Sequence, residues 1–334
     1  MESSQRSVTE KLAAARADLA ERDGVLVAFS GGVDSSVVAA IAAEALGEDA
    51  LACTARSETL PEAELGEAKR VAEEVGIRHD IVEFSELDSE AFAANDGDRC
   101  YHCRSMRLSA MFDHAADLGI ETVCDGTNAS DPGEGHRPGL QAVDELDAYS
   151  PLLEHDITKA EVREIARHYD LSVAEKPSMA CLSSRIPTGL EVTEEKLTRI
   201  EKAERVLRTW GFEQFRVRDH DGIARIEVGE DELEAALDPE FVAAAREHIG
   251  DLGFEHVTLD LEGYRTGSVS PSEGDRREPS ETTSGERSDP RVSGSETERS
   301  EVSKNASGEA ASSEGENSVE GDVFSAEYPT AGDQ

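Results

Sequence analysis

The stretch VLVAFSGGVDSSVVAAIAAEALG, residues 25–47, constrains the fold more than any other part of the chain. Its opening, VLVAFS, has the unbroken apolar character of a strand buried on both faces. Gly31 and Gly32 follow at once, and then a run rich in alanine and valine that suits a helix closed by Gly47. A strand turning directly into a helix is the first half of a crossover unit, and the strand that follows lies parallel to the first. The pattern repeats. ALACTA reads as strand, PEAELGEAKRVAEEVG as a helix opened by Pro61 and closed by Gly76, HDIVEF as strand, SMRLSAMFDHAADLG as helix and ETVCDG as strand. Residues 1–189 are therefore predicted to form an α/β domain around a doubly wound parallel sheet.

Residues 190–267 change character. The helix TEEKLTRIEKAERVLRTWG precedes two alternating strands, QFRVRDH and IARIEV. Helices around DELEAAL and EFVAAAREHIG come next, followed by the strand HVTLDL. This predicts a small α+β domain with an antiparallel or mixed sheet, in which Trp210 and Phe212 pack the core. From Ser268 to Gln334 apolar residues nearly vanish, and 16 acids against 6 bases leave nothing to offset the entropy of ordering. That segment is expected to be a disordered acidic tail. No repeat of solenoid period is present.

The formal net charge is −40, with 7 Lys against 26 Arg. Dense carboxylates with scarce lysine fit a high-salt cytoplasm, where ions screen their repulsion. The same charge argues against broad nucleic-acid binding, which needs a positive face. No apolar run approaches the roughly 18 residues of a membrane span, and the N-terminus reads as an amphipathic helix instead of a signal segment. The five cysteines, Cys53, Cys100, Cys103, Cys124 and Cys181, are an odd number that fits a reducing cytoplasm rather than a disulfide framework.

The turn FSGGVDSS is suited to an anion. Gly31 and Gly32 let backbone N–H groups approach closely, the helix N-terminus adds its dipole, and Ser30, Ser35 and Ser36 add hydroxyl donors. Asp34 could cap the helix or help to hold a metal beside phosphates. The string has neither the Gly-Lys-Ser/Thr of a Walker loop nor the spacing of a dinucleotide loop. DGTNASD follows a strand, so Asp125, Thr127 and Asn128 fall at the carboxyl edge, where open α/β sheets bind ligands. Arg216 and Arg218 lie two apart on one strand face and could clamp a phosphate or carboxylate, or pair with acidic neighbours. Glu227 could bind a metal or be a solvated strand residue. His79, His102 and His136 show no ligand spacing.

Ser30–Ser36 resembles the pyrophosphate loop, Ser-Gly-Gly-x-Asp-Ser, of the PP-loop ATP pyrophosphatases, with the adenine nucleotide alpha hydrolase fold. DRCYHCR, DGTNASD, RPGLQAV, SPLLEHDITKAEVREIA, KPSMACLSSRIPTG, RVRDH and GYRTGS resemble, in order, the LarE family of ATP-dependent sulfur transferases. The resemblance covers most of residues 8–268. It implies that ATP with Mg2+ adenylates a carboxylate of a small mononucleotide, pyridinium-3,5-biscarboxylic acid mononucleotide. Sulfur then displaces AMP to give a thiocarboxylate for a nickel-pincer cofactor. It further implies a homo-oligomer, hexameric in the family, with Arg185, Arg216 and Arg218 on the substrate side.

Cys181 matches the sulfur-donor cysteine of that family. In one branch this residue gives up its own sulfur. In another, a Cys-x-x-Cys pair joins it to hold a [4Fe–4S] cluster whose open iron carries a loose sulfide. Cys100 and Cys103 supply that pair here. Thiolates suit such clusters, three thiolates also suit zinc, and the pair alone suits a redox disulfide. Cys53 and Cys124 read as small buried hydrophobes. A tRNA thiolase, an ammonia-using synthetase and a non-catalytic nucleotide or iron–sulfur protein are the competing readings. The synthetase needs none of the three cysteines, and the intact SGGVDS argues against a decayed site.

Overall fold

The structure is a computed structural model that describes residues 6–131, 138–177 and 180–265. The expected tail from Ser268 onward and His136 lie outside the described residues.

Helix α1 (Val8–Leu19) leads into β1 (Val25–Ala28), and α2 (Val33–Leu46) follows through the glycine turn. Next come β2 (Ala50–Arg56), α3 (Glu62–Val75), β3 (Arg78–Glu83), the short α4 (Glu90–Ala93), α5 (Arg99–Asp117) and β4 (Thr122–Cys124). The strands form one parallel sheet in the order β3-β2-β1-β4. β1 therefore lies between β2 and β4, with Val27 opposite both Ala52 and Cys124. Strand order reverses at β1, and the crevice beyond the carboxyl ends of β1 and β4 is where such sheets bind ligands.

Alternation along the strands divides two apolar layers. Val25, Val27, Ala50, Ala52 and Cys124 face α1 and α2, together with Leu152, Val162 and Ile165. Leu26, Leu51, Cys53 and Val123 face Met111 and Ala115 of α5. Both faces are covered, which is why these strands read as continuous apolar runs. α6 (Pro138–Glu145), α7 (Pro151–Glu154) and α8 (Lys159–His168) complete this part. α8 starts on a capping box in which the Thr158 hydroxyl accepts from Glu161 N while Glu161 accepts from Thr158 N.

Helix α9 (Glu194–Thr209) then packs against a second sheet of β5 (Phe215–Asp219), β6 (Ile223–Val228) and β7 (His256–Leu259), with α10 (Leu233–Ala236) and α11 (Pro239–Gly250) inserted between β6 and β7. β5 and β6 are antiparallel and β6 and β7 parallel, so the sheet is mixed. Its own core gathers Phe212, Phe215, Val217, Ile226 and Phe241. Trp210 is edge-on to Phe241 and keeps 36% of its surface exposed. Among the described residues no helix is long and apolar enough to cross a membrane.

One boundary differs from the sequence pattern. α5 begins at Arg99, ahead of the apolar periodicity that starts near Ser105, and so carries Cys100 and Cys103 in its first turns. Those turns border a cavity, with only Cys103 packed against an apolar cluster, so no apolar stripe marks them.

Candidate functional site

The carboxyl ends of β1 and β4 open into a cavity of about 730 Å3. Ser30, Asp34 and Ser35 line it from the glycine turn, and Asp125, Thr127 and Asn128 from the loop after β4. Cys100 and Cys103 border it from α5, and Cys181 from the turn after α8. A smaller adjoining cavity of about 170 Å3 is lined by Gly32, Pro61, Lys176 and again Asp34, Lys159 and Cys181.

The turn is shaped by close backbone approach. Gly31 has φ of 68°, in the left-handed region, and a Cβ there would lie 2.8 Å from Ala68 Cα. Gly126, between Asp125 and Thr127, is also closely placed, though less tightly, because a Cβ on it would lie 3.1 Å from Ser35 N. Gly31 thus lets the turn lie against α3, and Gly126 lets the loop after β4 lie against the start of α2. Ser35 Oγ donates to Gly32 O at 3.1 Å and accepts from Ser30 N at 3.2 Å, which closes the turn on itself. Ser36 is buried and lines neither cavity.

Asp34 does not cap α2; the N-cap is Gly32, without a side-chain bond. Asp34 sits inside the first turn, where Asn128 Nδ2 donates to it at 3.2 Å and Lys159 forms an ion pair with it. Asp125 is buried and saturated. It accepts from Thr127 Oγ1 at 2.6 Å and Ser150 Oγ at 2.5 Å, and Arg104 pairs with it. Asp125 therefore shapes the pocket wall, and Asp34 is the carboxylate that faces both cavities.

The three cysteines share the cavity but differ in setting. Cys100 is exposed, and Cys103 and Cys181 are half-buried. Burial pushes the Cys103 thiol up to about 12 against the pull of Arg107. Beside it the buried Glu86 accepts from Thr59 Oγ1 at 2.9 Å, Arg107 Nη2 at 3.2 Å and Cys103 Sγ at 3.5 Å. Burial also pushes Cys53 and Cys124 up to about 12, as expected of inert core thiols. Among the described residues no three His, Cys, Asp or Glu side chains converge as on a single ion. The three sulfurs border one cavity from two separate segments of the chain.

Cys181 caps a short turn, Leu182–Arg185, whose main chain is gripped from several sides. Leu182 N donates to Thr59 O at 2.9 Å, and Arg99 Nη1 donates to Ser183 O at 3.0 Å. Asn95, in the left-handed region at φ 59°, donates to Pro187 O and Leu190 O at 2.8 Å each.

The expected substrate arginines are placed differently from one another. Arg185 is fully buried and holds Glu204 through Nε at 2.9 Å and Nη2 at 3.0 Å. Arg218 is buried and holds Glu227 through Nε at 3.0 Å and Nη2 at 2.8 Å. Arg216 is half-buried, lies 5.2 Å from the Tyr264 ring centroid and makes no ion pair among the described residues. Burial, and then the neighbouring Arg185, hold its guanidinium below the usual range. Glu227 is neither solvated nor open to a metal, since Arg218 and Arg225 both donate to it. Sequence reasoning did not reach Asn95, Arg99, Arg104, Lys159 or Gly126. The one hint was Gly126 itself, a glycine at the end of a strand pattern.

Residues 7–98 match the asparagine synthase family. An uncharacterized protein of Synechocystis sp. is 40% identical over 260 residues, covering 78% of this chain and 97% of that protein. Pyridinium-3,5-bisthiocarboxylic acid mononucleotide synthase of Lactiplantibacillus plantarum is 36% identical over 265 residues, 79% of this chain and 95% of the synthase. An uncharacterized protein of Methanocaldococcus jannaschii is 28% identical over 242 residues, 72% of this chain and 91% of its own length.

Proposed function

Since the chain belongs to the family of pyridinium-3,5-bisthiocarboxylic acid mononucleotide synthases, we propose that it is an ATP-dependent sulfur transferase acting on a carboxylate of pyridinium-3,5-biscarboxylic acid mononucleotide. One observation carries the reading most directly: Cys181 borders the same cavity as the phosphate-binding turn at Ser30, Asp34 and Ser35. Activation and sulfur delivery can then act on one carbonyl carbon without the activated intermediate leaving the cavity.

The substrate carboxylate oxygen attacks the α-phosphorus of ATP, and the bond to pyrophosphate breaks. The turn from Ser30 to Ser36 receives the phosphates on backbone N–H groups at the start of α2, and Asp34 is the residue that would hold Mg2+ beside them. Asp125, Thr127 and Asn128 wall the nucleotide side. A sulfur nucleophile then attacks the acyl carbon, and the bond to AMP breaks, leaving a thiocarboxylate. Arg216, with no carboxylate partner among the described residues, is the arginine proposed to meet the substrate phosphate.

Cys100, Cys103 and Cys181 are the residues that would hold a [4Fe–4S] cluster. Such a cluster would supply an open iron site for a loose sulfide. This chain's residues provide its three thiolates, a buried and apolar flank at Cys103 through Phe92 and Leu182, and a firmly held turn at Cys181.

The test is direct. Purified anaerobically with iron and sulfide, the protein given ATP, Mg2+ and the dicarboxylate mononucleotide should form AMP, pyrophosphate and thiocarboxylate together. AMP formation that does not depend on the mononucleotide would sink the substrate assignment.

A further inference from the structure

The turn that begins at Cys181 is held by two buried arginine–glutamate pairs whose carboxylates both come from the part of the chain around the second sheet. Glu204, on α9, accepts from one edge of Arg185, Nε and Nη2, and also accepts from Val217 N at 3.2 Å. Arg185 turns its remaining Nη1 to the main chain at the cysteine, donating to Ala180 O and, at 3.0 Å, to Cys181 O. Glu227, on β6, holds Arg218, which donates Nη1 to Ser184 O at 2.9 Å. Ser184 in turn donates its hydroxyl to Cys181 O at 2.7 Å. The carbonyls at 180, 181 and 184 are thus all gripped through guanidinium groups that carboxylates hold in place.

Stability alone is a weak reason for such an arrangement. A buried ion pair is often replaceable by apolar side chains of similar volume without loss of stability, because desolvation offsets most of the attraction. What apolar replacements cannot do is donate to carbonyls in a fixed direction. A planar guanidinium held on one edge by a carboxylate presents its other N–H groups at a set angle.

We infer that Glu204 and Glu227 are positioning residues for sulfur transfer: through Arg185 and Arg218 they fix the backbone of 180–184 and hence the direction in which Cys181 Sγ meets the cavity. The inference rests on the proposed role of Cys181 in sulfur delivery, as one of the three thiolates that would hold the cluster. It makes the second sheet a support for the sulfur step, separate from nucleotide binding at the Ser30–Ser36 turn.

The test uses the full chain in three variants: Glu204→Gln, Glu204→Asp, and Arg185→Met combined with Glu204→Leu. In Glu204→Gln and in the double variant AMP formation and KM for ATP should stay within about twofold of wild type. Thiocarboxylate formation should fall about tenfold to a hundredfold, the scale of a misplaced reacting group. Amide hydrogen exchange should speed up at 182–186 while β1 stays protected. Glu204→Asp should recover most of the transfer rate. Wild-type transfer rates in Glu204→Gln, or unchanged exchange at 182–186 in that variant, overturn the inference. If the double variant does not fold, Glu204→Gln decides alone. If wild-type protein forms AMP but never thiocarboxylate, the sulfur-transfer reading fails, and exchange at 182–186 still decides whether the clamp holds the turn.

Discussion

Lys159, the first residue of α8, pairs with Asp34 in the first turn of α2, and both side chains border both cavities. Helix α8 is joined in this way to the turn proposed to bind phosphate, through the carboxylate proposed to hold Mg2+. The pair is partly exposed, with 34% and 26% of the two side chains accessible. Exposed pairs of this kind contribute only about 0–1 kcal/mol to stability.

That contrast gives the first prediction. Asp34→Asn should leave the melting temperature nearly unchanged and lower AMP formation by about two orders of magnitude, because it removes charge where phosphates and metal meet. Scanning calorimetry and pyrophosphate release measure the two sides. A melting temperature that collapses together with activity would make Asp34 structural.

The two glycines of the turn should separate. Gly31→Ala places a side chain at φ 68° and against the Ala68 backbone, so it should destabilise the protein by about 1–3 kcal/mol as well as reduce activity. Gly32 has an ordinary φ of −84°, and its added Cβ would meet only the Ser30 hydroxyl, at 3.3 Å. Gly32→Ala should therefore keep most of the stability while slowing adenylation. Denaturant melts of both variants check this, and equal losses of stability would contradict it.

The parallel sheet and the glycine turn after β1 were legible because their signals are local and periodic. A buried strand, two glycines and a helix admit few arrangements, and the sheet order then brings the Ser30 and Asp125 loops together. The placement of the arginines was not legible. Arg185 and Arg218 look available for a ligand in the sequence, and only packing reveals Glu204, 19 residues on, and Glu227, nine residues on, as their partners. The helical start at Arg99 was hidden for a related reason, since a turn that borders a cavity carries no continuous apolar stripe. The expected mixed sheet was legible in its strands, although its pairing order was not.

Thiol chemistry should sort the five cysteines by environment. Cys53 and Cys124, both pushed up to about 12 by burial, hold at pH 8 about a thousandfold less thiolate than an ordinary thiol near 9. A raised pKa means that the proton stays on longer, so their alkylation in folded protein should climb about tenfold per pH unit between 8 and 11. Exposed Cys100 should react first in cluster-free protein. Peptide mapping after timed iodoacetamide treatment reads the order, and rapid labelling of Cys53 at pH 8 would show that the core is open.

The last prediction treats Cys100, Cys103 and Cys181 as one unit. Three thiolates are the whole protein ligand set proposed for the cluster, so replacing any one by serine should remove most iron and visible absorbance. Thiocarboxylate formation should stop in all three variants. AMP formation should survive, because adenylation depends on the Ser30–Ser36 turn and Asp34, on other elements of the fold. A sacrificial Cys181 gives a different pattern. There Cys181→Ser alone stops transfer, Cys100→Ser and Cys103→Ser keep it, and wild-type protein loses one sulfur at Cys181 after a single turnover. Mass spectrometry of protein recovered after several product equivalents separates the two: intact Cys181 agrees with cluster delivery, and dehydroalanine at that position refutes it.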